Sequence, residues 1–278
     1  MFGLLFLLIA GAWGAAGDVE AVTVKKADGQ DDTGADGCVT ISKETADSKK
    51  FYCNTLDNAY KKSEDMTKRE IGIDETTDLK NAGIKAAITA TVTVTGTSTT
   101  NAKATISSST AAKLDAPVIT VNFPDPAANV VATFSKIAFT LQTSAADDAQ
   151  IDQSIFKVGT APGGIRSNDN EKLTLSLNGV TFGYKDASTA PAKSSIAAPV
   201  IDALYGILEL KGCSFTGIVM KQDPLLSINP EKDAFTMTVG DSVNTFSNIE
   251  RKKGNGAVLS IPAKAKVAIT NAEFNGCQ

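Results

Sequence analysis

The run Asp147-Asp148-x-x-x-Asp152 is the acidic cluster of this chain whose residue type suits acid–base chemistry. In an extended backbone Asp147 and Asp148 point to opposite faces. The surrounding Ser/Ala/Asp composition reads as a solvated loop. A second group, Asp28, Asp31, Asp32 and Asp36, supplies oxygen donors of the kind Ca²⁺ takes. It lacks the ordered EF-hand spacing with a closing Glu, so it too reads as a solvated loop. No histidine occurs anywhere. That excludes Ser-His-Asp and Cys-His catalysis, His-ligated zinc and imidazole proton transfer. The arginines are Arg69, Arg166 and Arg251. From these residues no catalytic set, no metal site and no cofactor is expected.

The elements that must position any site start from composition. The chain has 278 residues and a net charge of −4. It carries no basic stripe, which argues against nucleic acid as a partner. Thr, Ser, Ala, Val and Gly dominate, and these suit strands and tight turns better than helices. The start, MFGLLFLLIAGAWGAAGD, is apolar from Phe2 to about Ala12 and then turns to small residues. It reads as a secretory signal peptide over 1–16, with cleavage after Gly14 or Ala16. Its apolar run is too short to span a membrane, and no later stretch is long enough, so the mature chain is expected to have no membrane span. An extracellular or cell-surface location follows.

Cys38, Cys53, Cys213 and Cys277 then meet an oxidising compartment. Four cysteines allow three pairings. Cys38 and Cys53 are close in sequence and bracket a polar loop, so they are the expected pair.

Val22 and Val24 suggest a first short strand. Residues 54–62 read as a helix capped by Asn54 or Thr55, with Leu56, Ala59 and Tyr60 forming one apolar stripe. Next, KAAITATVTVTGTSTT alternates, with Ile88, Ala90, Val92 and Val94 on one face and threonines on the other. That pattern predicts a half-buried strand. Short apolar runs separated by Pro and Gly follow to the end, and no long helix is expected after residue 65.

A unit recurs in this later half. LSLNGVTFGY, LELKGCSFTG and VAITNAEFNG each place two apolar residues two apart and a Phe five positions after the second; MTVGDSVNTFSN is a longer version. The anchors Phe182, Phe215, Phe246 and Phe274 lie 33, 31 and 28 residues apart. Periods of this size mark stacked repeats that bury a face only against their neighbours. A first strand (APVID, LLSIN, AVLSI) pairs with a second that ends in the Phe motif. Phe is then expected to stack on Phe, and Cys213 to share an inward slot with Val180, Asn244 and Ala272. In that register Cys277 lies two coils from Cys213, too far for a bridge.

The chain resembles the right-handed parallel β-helix, pectate-lyase-like family over roughly residues 20 to 277. It is similar to large secreted or surface proteins of single-celled eukaryotes and bacteria. The resemblance rests on Asp28-Gly29, Cys38, then Cys53-Asn54-Thr55-Leu56-Asp57-Asn58-Ala59. It also rests on Phe246-Ser247-Asn248-Ile249 with Gly254-Asn255-Gly256-Ala257-Val258, which is similar to the repeats of polymorphic outer-membrane proteins. It implies an all-β fold, a right-handed parallel β-helix (a solenoid), with a short N-terminal capping α-helix bearing Leu56, Ala59 and Tyr60. The domain reading is a signal peptide at 1–16, an N-terminal loop and capping helix at 17–65, and β-helix coils at 66–278.

Many β-helix relatives cleave acidic polysaccharides, but their hydrolase motifs have no match in this chain. Sugar sites usually stack an aromatic ring, and the mature chain offers Tyr52, Tyr60, Tyr184 and Tyr205. Tyr184 suits a sugar contact and a packing role equally. A Thr array like that of ice-binding β-helices would need Thr174/Ser176 and Thr236/Thr238 on one face, but Glu209/Lys211 and Ala268 interrupt it. The expected function is a non-enzymatic secreted or surface protein acting in adhesion, surface coat or extracellular binding of a protein or glycan. The alternative is a polysaccharide-acting lyase or hydrolase. After the last Phe anchor the chain is expected either to continue in its natural context or to self-associate end to end.

Overall fold

The computed structural model describes residues 19–24, 37–45, 48–74, 83–97, 102–108, 114, 116–124, 128–143, 151–159, 173–184, 196–204, 206–228, 235–261 and 265–278. The segment read as a signal peptide lies outside them.

Parallel strands dominate the described residues. One ten-stranded sheet (sheet I) and two six-stranded sheets (II and III) hold nearly all of them. From Ile84 onward the chain visits sheet III, then I, then II, and repeats that order. One such circuit is Ile201–Ala203, Gly206–Lys211 and Ser214–Thr216. Each interior strand of these circuits pairs in parallel with its counterpart one circuit earlier and one later, as Gly206–Lys211 does with Leu173–Asn178 and Phe235–Val239. A short parallel pair, Val219–Met220 with Glu250–Arg251, sits between sheets II and III.

The stretch LELKGCSFTG is explained by this geometry. Leu208 and Leu210 point inward on sheet I, and Phe215 points inward on sheet II. Between them the chain turns a corner at Gly212, and it leaves sheet II at Gly217. Both glycines have left-handed backbones, with φ of 61° and 63°, which glycine adopts without steric cost. The Phe therefore stands on a strand of its own, not at the end of the preceding one. The inward positions run 208, 210, 213 and 215, so the alternation slips by one residue at this corner.

The register stacks like on like. Leu177 pairs with Leu210, Leu210 with Val239 and Val239 with Ile269. Phe182, Phe215, Phe246 and Phe274 align in sheet II, preceded by Phe139. Their ring centroids are 5.1, 4.7, 5.0 and 5.0 Å apart, and the rings are within 10° of parallel. That step is the strand spacing itself, about 4.7–4.9 Å. Phe156 of sheet III meets Phe134 of sheet I and Phe139 of sheet II edge-on, at 5.0 and 5.5 Å. The three sheets thus share one core.

Two sequence expectations change. The alternating stretch from Ile88 to Thr95 does not form one strand: Ile84–Ile88 belongs to sheet III and Val92–Gly96 to sheet I. The chain bends at Thr89–Thr91, where Tyr60 Oη accepts the Thr89 N–H at 3.3 Å and Thr91 Oγ1 accepts the Val131 N–H at 3.2 Å. Cys38 and Cys53 do not bracket a plain loop either. They close an antiparallel hairpin, Cys38–Thr45 with Ser48–Cys53, in which they lie directly opposite each other. A disulfide joins them, with Cα atoms 4.1 Å apart.

The helix Leu56–Lys62 starts where Thr55 Oγ1 accepts the Asn58 N–H at 3.1 Å. Leu56, Ala59 and Tyr60 are buried against Val19–Val24 and Ile84–Ile88. Ile84–Ile88 is the edge strand of sheet III. Asp57 Oδ1 accepts its Lys85 N–H at 2.8 Å, so the helix satisfies a donor that an open edge would leave unpaired.

Candidate functional site

Asp147 and Asp148, and also Asp28, Asp31, Asp32 and Asp36, lie outside the described residues. Asp152 stands just before the strand Phe156–Val158, and its buried Oδ1 has no hydrogen-bond partner among the described residues. No group of three His, Cys, Asp or Glu side chains fit to hold a metal occurs among them either.

The carboxylates that do approach each other were not legible in the sequence. Asp202 points outward from the middle of Ile201–Ala203, in register with Lys157 on one side and Ser227 on the other. Burial pushes its carboxyl above the ordinary aspartate range; the Lys157 ammonium opposes the rise and the Asp223 charge adds to it. Strand register sets Lys157 beside Asp202, and Asp223 lies in the turn before Leu226–Ile228.

The other candidate is a shallow groove of about 320 Å³ on the outer face of sheet II. Outward residues form two columns across the strands. One runs Ala138, Thr181, Ser214, Thr245 and Glu273; the other runs Thr140, Gly183, Thr216, Ser247 and Asn275. The groove is lined by Ala138, Thr140, Thr181, Gly183, Ser214 and Thr216, with Phe139 and Phe182 beneath. None of these is charged. Ser214 Oγ and Thr216 Oγ1 lie 3.4 Å apart and share a hydrogen bond.

The groove exists because two positions are small. A Cβ built on Gly183 would meet only the Thr216 carbonyl oxygen, at 3.9 Å. Its neighbours in the column, Thr140 and Thr216, both carry side chains. Hydroxyl side chains stand in register across circuits here, on sheet II, whereas the sequence suggested an array on sheet I. There the column runs Thr133, Ser176, Glu209, Thr238 and Ala268, and Thr174 pairs with Ile207. Glu209 does interrupt it, and it takes a hydrogen bond from Ser176 at 3.1 Å.

Of the tyrosines named as sugar platforms, Tyr60 is buried in the helix contact and Tyr52 is half-buried. The Tyr184 side chain and Tyr205 lie outside the described residues.

No family model, curated protein or solved structure matches the chain. A fold would in any case leave function to be argued from the site.

Proposed function

We propose that the chain is a right-handed parallel β-helix of the pectate-lyase-like kind, acting as a non-enzymatic extracellular binding or adhesion rod. The repeated order of sheets III, I and II supports the solenoid, and parallel β-crossover-β connections are right-handed in about 98% of cases. The Cys38–Cys53 disulfide suits an oxidising compartment. No helix among the described residues is long and apolar enough to cross a membrane. The observation that carries the binding reading is the uncharged hydroxyl groove on sheet II. It offers hydrogen-bond donors and acceptors, and none of its described lining residues is charged.

The purified chain is to be tested on immobilised glycans and extracellular proteins, beside lyase and hydrolase assays on polysaccharides. Retention without turnover is the expected result.

One observation favours a second reading, a polysaccharide-acting enzyme. Asp202, with its raised carboxyl, has Asp223 and Lys157 close by. A carboxyl that burial raises above the ordinary aspartate range holds its proton more tightly, which suits general-acid work. Turnover that Asp202→Asn abolishes would replace the binding reading with this one.

A further inference from the structure

We propose that two copies of this chain join by the end of the sheets that carries Phe274, like end to like end about a two-fold axis, with Phe274 of one copy laid on Phe274 of the other. The inference goes beyond the binding reading above and does not depend on it.

The two ends of the sheets differ. At one end the last described circuit is Leu259–Ser260, Lys266–Ile269 and Ala272–Asn275, one strand from each sheet. Each has a strand neighbour on one side only among the described residues. Their inward residues Leu259, Val267, Ile269 and Phe274 are apolar, with no inward charge of the kind that blunts an open edge. At the other end sheet I runs on past the circuit of Ile84–Ile88, through Arg69–Ile73, Val19–Val24 and the disulfide hairpin. The helix Leu56–Lys62 packs beside that extension, and its Asp57 takes the Lys85 N–H. That end is stepped and the Phe274 end is level, so the second does not seat on the first. A copy that covers the level end must bring its own level end. Such a contact is isologous and closes at two, whereas head-to-tail contacts run on into rings or filaments.

The strand Ala272–Asn275 is complementary to itself. A two-fold axis sets it antiparallel to its own copy. The carbonyls of Asn271 and Asn275 accept the N–H groups of Asn244 and Asn248, one circuit back, at 2.9 and 2.7 Å. Successive residues of a strand turn their backbone groups to opposite edges, so those of Phe274 face the open end. A register centred on Phe274 lets the two phenylalanines exchange both N–H···O bonds, as in the hydrogen-bonded pair of an antiparallel ladder. Both rings then stay on the core side. The Phe column, whose last step from Phe246 to Phe274 is 5.0 Å, continues across the axis into the second copy. On the outer face the same register sets the exposed Glu273 opposite Asn275, twice, a carboxylate acceptor against an amide donor. A slip by one residue sends Phe274 to the wrong face. A slip by two sets Glu273 on Glu273, a like-charge pair, or Phe274 on Gly276. The self-match of Glu273, Phe274 and Asn275 thus selects a second copy as the occupant of this end.

The test uses the full chain. By sedimentation equilibrium its mass should rise with concentration to twice that of one chain and stop there. Cross-linking reads the register. Directly opposed residues of an antiparallel pair can carry a disulfide, as Cys38 and Cys53 do here with Cα atoms 4.1 Å apart. In a Cys277→Ser background, chains with Glu273→Cys and chains with Asn275→Cys are to be mixed and mildly oxidised. The mixture should give a covalent dimer. Either variant alone should not, because its two cysteines lie on a diagonal about 7–8 Å apart, at or past the limit of about 7 Å for a disulfide. Should these variants fail to fold, Asn275→Glu in the parent chain, which opposes two carboxylates, should weaken dimerisation at least tenfold at low salt, and Ser227→Glu on the outer face of sheet III should not. A chain that stays monomeric at every concentration, its end left to some other partner, overturns the inference. So does growth past two, or a dimer in which the mixture cross-links no better than the single variants.

Discussion

Asn244 stands one circuit beyond Cys213 in the same inward slot, and its Oδ1 accepts the Cys213 backbone N–H at 2.9 Å. Its Nδ2 donates to the carbonyls of Leu210, Ser242 and Asn271 at 3.2, 3.0 and 3.3 Å. The corner between sheets I and II is longer here, spanning Gly240 to Val243, and its Ser242 carbonyl faces the slot together with backbone groups of the neighbouring circuits. A buried amide answers them where Val180 and Cys213 suffice in the preceding circuits.

Asn244→Ala should therefore destabilise strongly. The orphaned Cys213 donor alone costs about 1–3 kcal/mol, and the freed carbonyls add to it. Urea denaturation should show a lowered midpoint. A midpoint equal to that of the parent chain would show that the corner finds other partners.

The Phe column predicts an unequal response along its length. Phe215 is fully buried between two stacked rings, whereas Phe274 is 48% exposed. Phe215→Ala should cost about 3–5 kcal/mol. Phe274→Ala, with roughly half of its ring already in water, should cost half of that or less. Equal losses by thermal melting would contradict the stacking order.

How far these relationships could be read from the sequence depends on whether they are local. The Phe anchors show because a five-residue step fixes each one relative to the strand before it. Phe139 follows Phe134 by the same step and was missed because Ala132 weakens the apolar pair ahead of it. The split at Thr89–Thr91 was hidden because alternation continues through the bend. The Cys38–Cys53 hairpin looks like a loop in sequence because its strands carry Thr, Ser and Lys rather than an apolar run. Asp202 beside Lys157 is not legible in sequence, since only the strand register brings the two together. Gly183 was visible as a residue, but its meaning needed the register that sets it between Thr140 and Thr216.

Acid should weaken the helix attachment. Burial pushes the Asp57 carboxyl up, but the Lys61 ammonium and the N–H groups of Lys85 and Ala86 outweigh it, and the net pKa falls below the ordinary 3.8. A carboxyl with a depressed folded value stabilises fully above its unfolded value. That contribution fades as pH falls from 3.8 through the lower folded value. Asp57→Asn should reduce stability near neutrality, and the gap from the parent chain should shrink as pH falls below 3.8. A gap that is the same at both pH values would mean that the charge plays no part.

Lys136 fills a corner position where Gly179 and Gly212 stand in later circuits. Its φ is 54° and its side chain is exposed. A left-handed backbone costs a non-glycine residue roughly 1–2 kcal/mol. Lys136→Gly should raise stability by about 0.5–1 kcal/mol, since added freedom in the unfolded chain offsets part of the relief. A fall in the melting temperature would show that the lysine makes a contact worth more than the strain.

The end of the sheets that carries Phe274 should be adhesive. Leu259–Ser260, Lys266–Ile269 and Ala272–Asn275 each have a strand neighbour on one side only among the described residues. Phe274 and Ile269 are 48% and 41% exposed beside them. Open strand edges over apolar surface pair with other chains. The two free cysteines report on this end differently. Cys213 is buried, and burial pushes its thiol above the usual range. Cys277 is partly exposed, with its thiol on the Phe246 carbonyl at 3.3 Å. In the native chain a maleimide should label Cys277 well before Cys213, which should react only on unfolding. Light scattering should show mass rising with protein concentration, and Phe274→Lys together with Ile269→Lys should abolish the rise. A monomer that persists at high concentration, with Cys277 still open to the reagent, would mean that the exposed end does not self-associate.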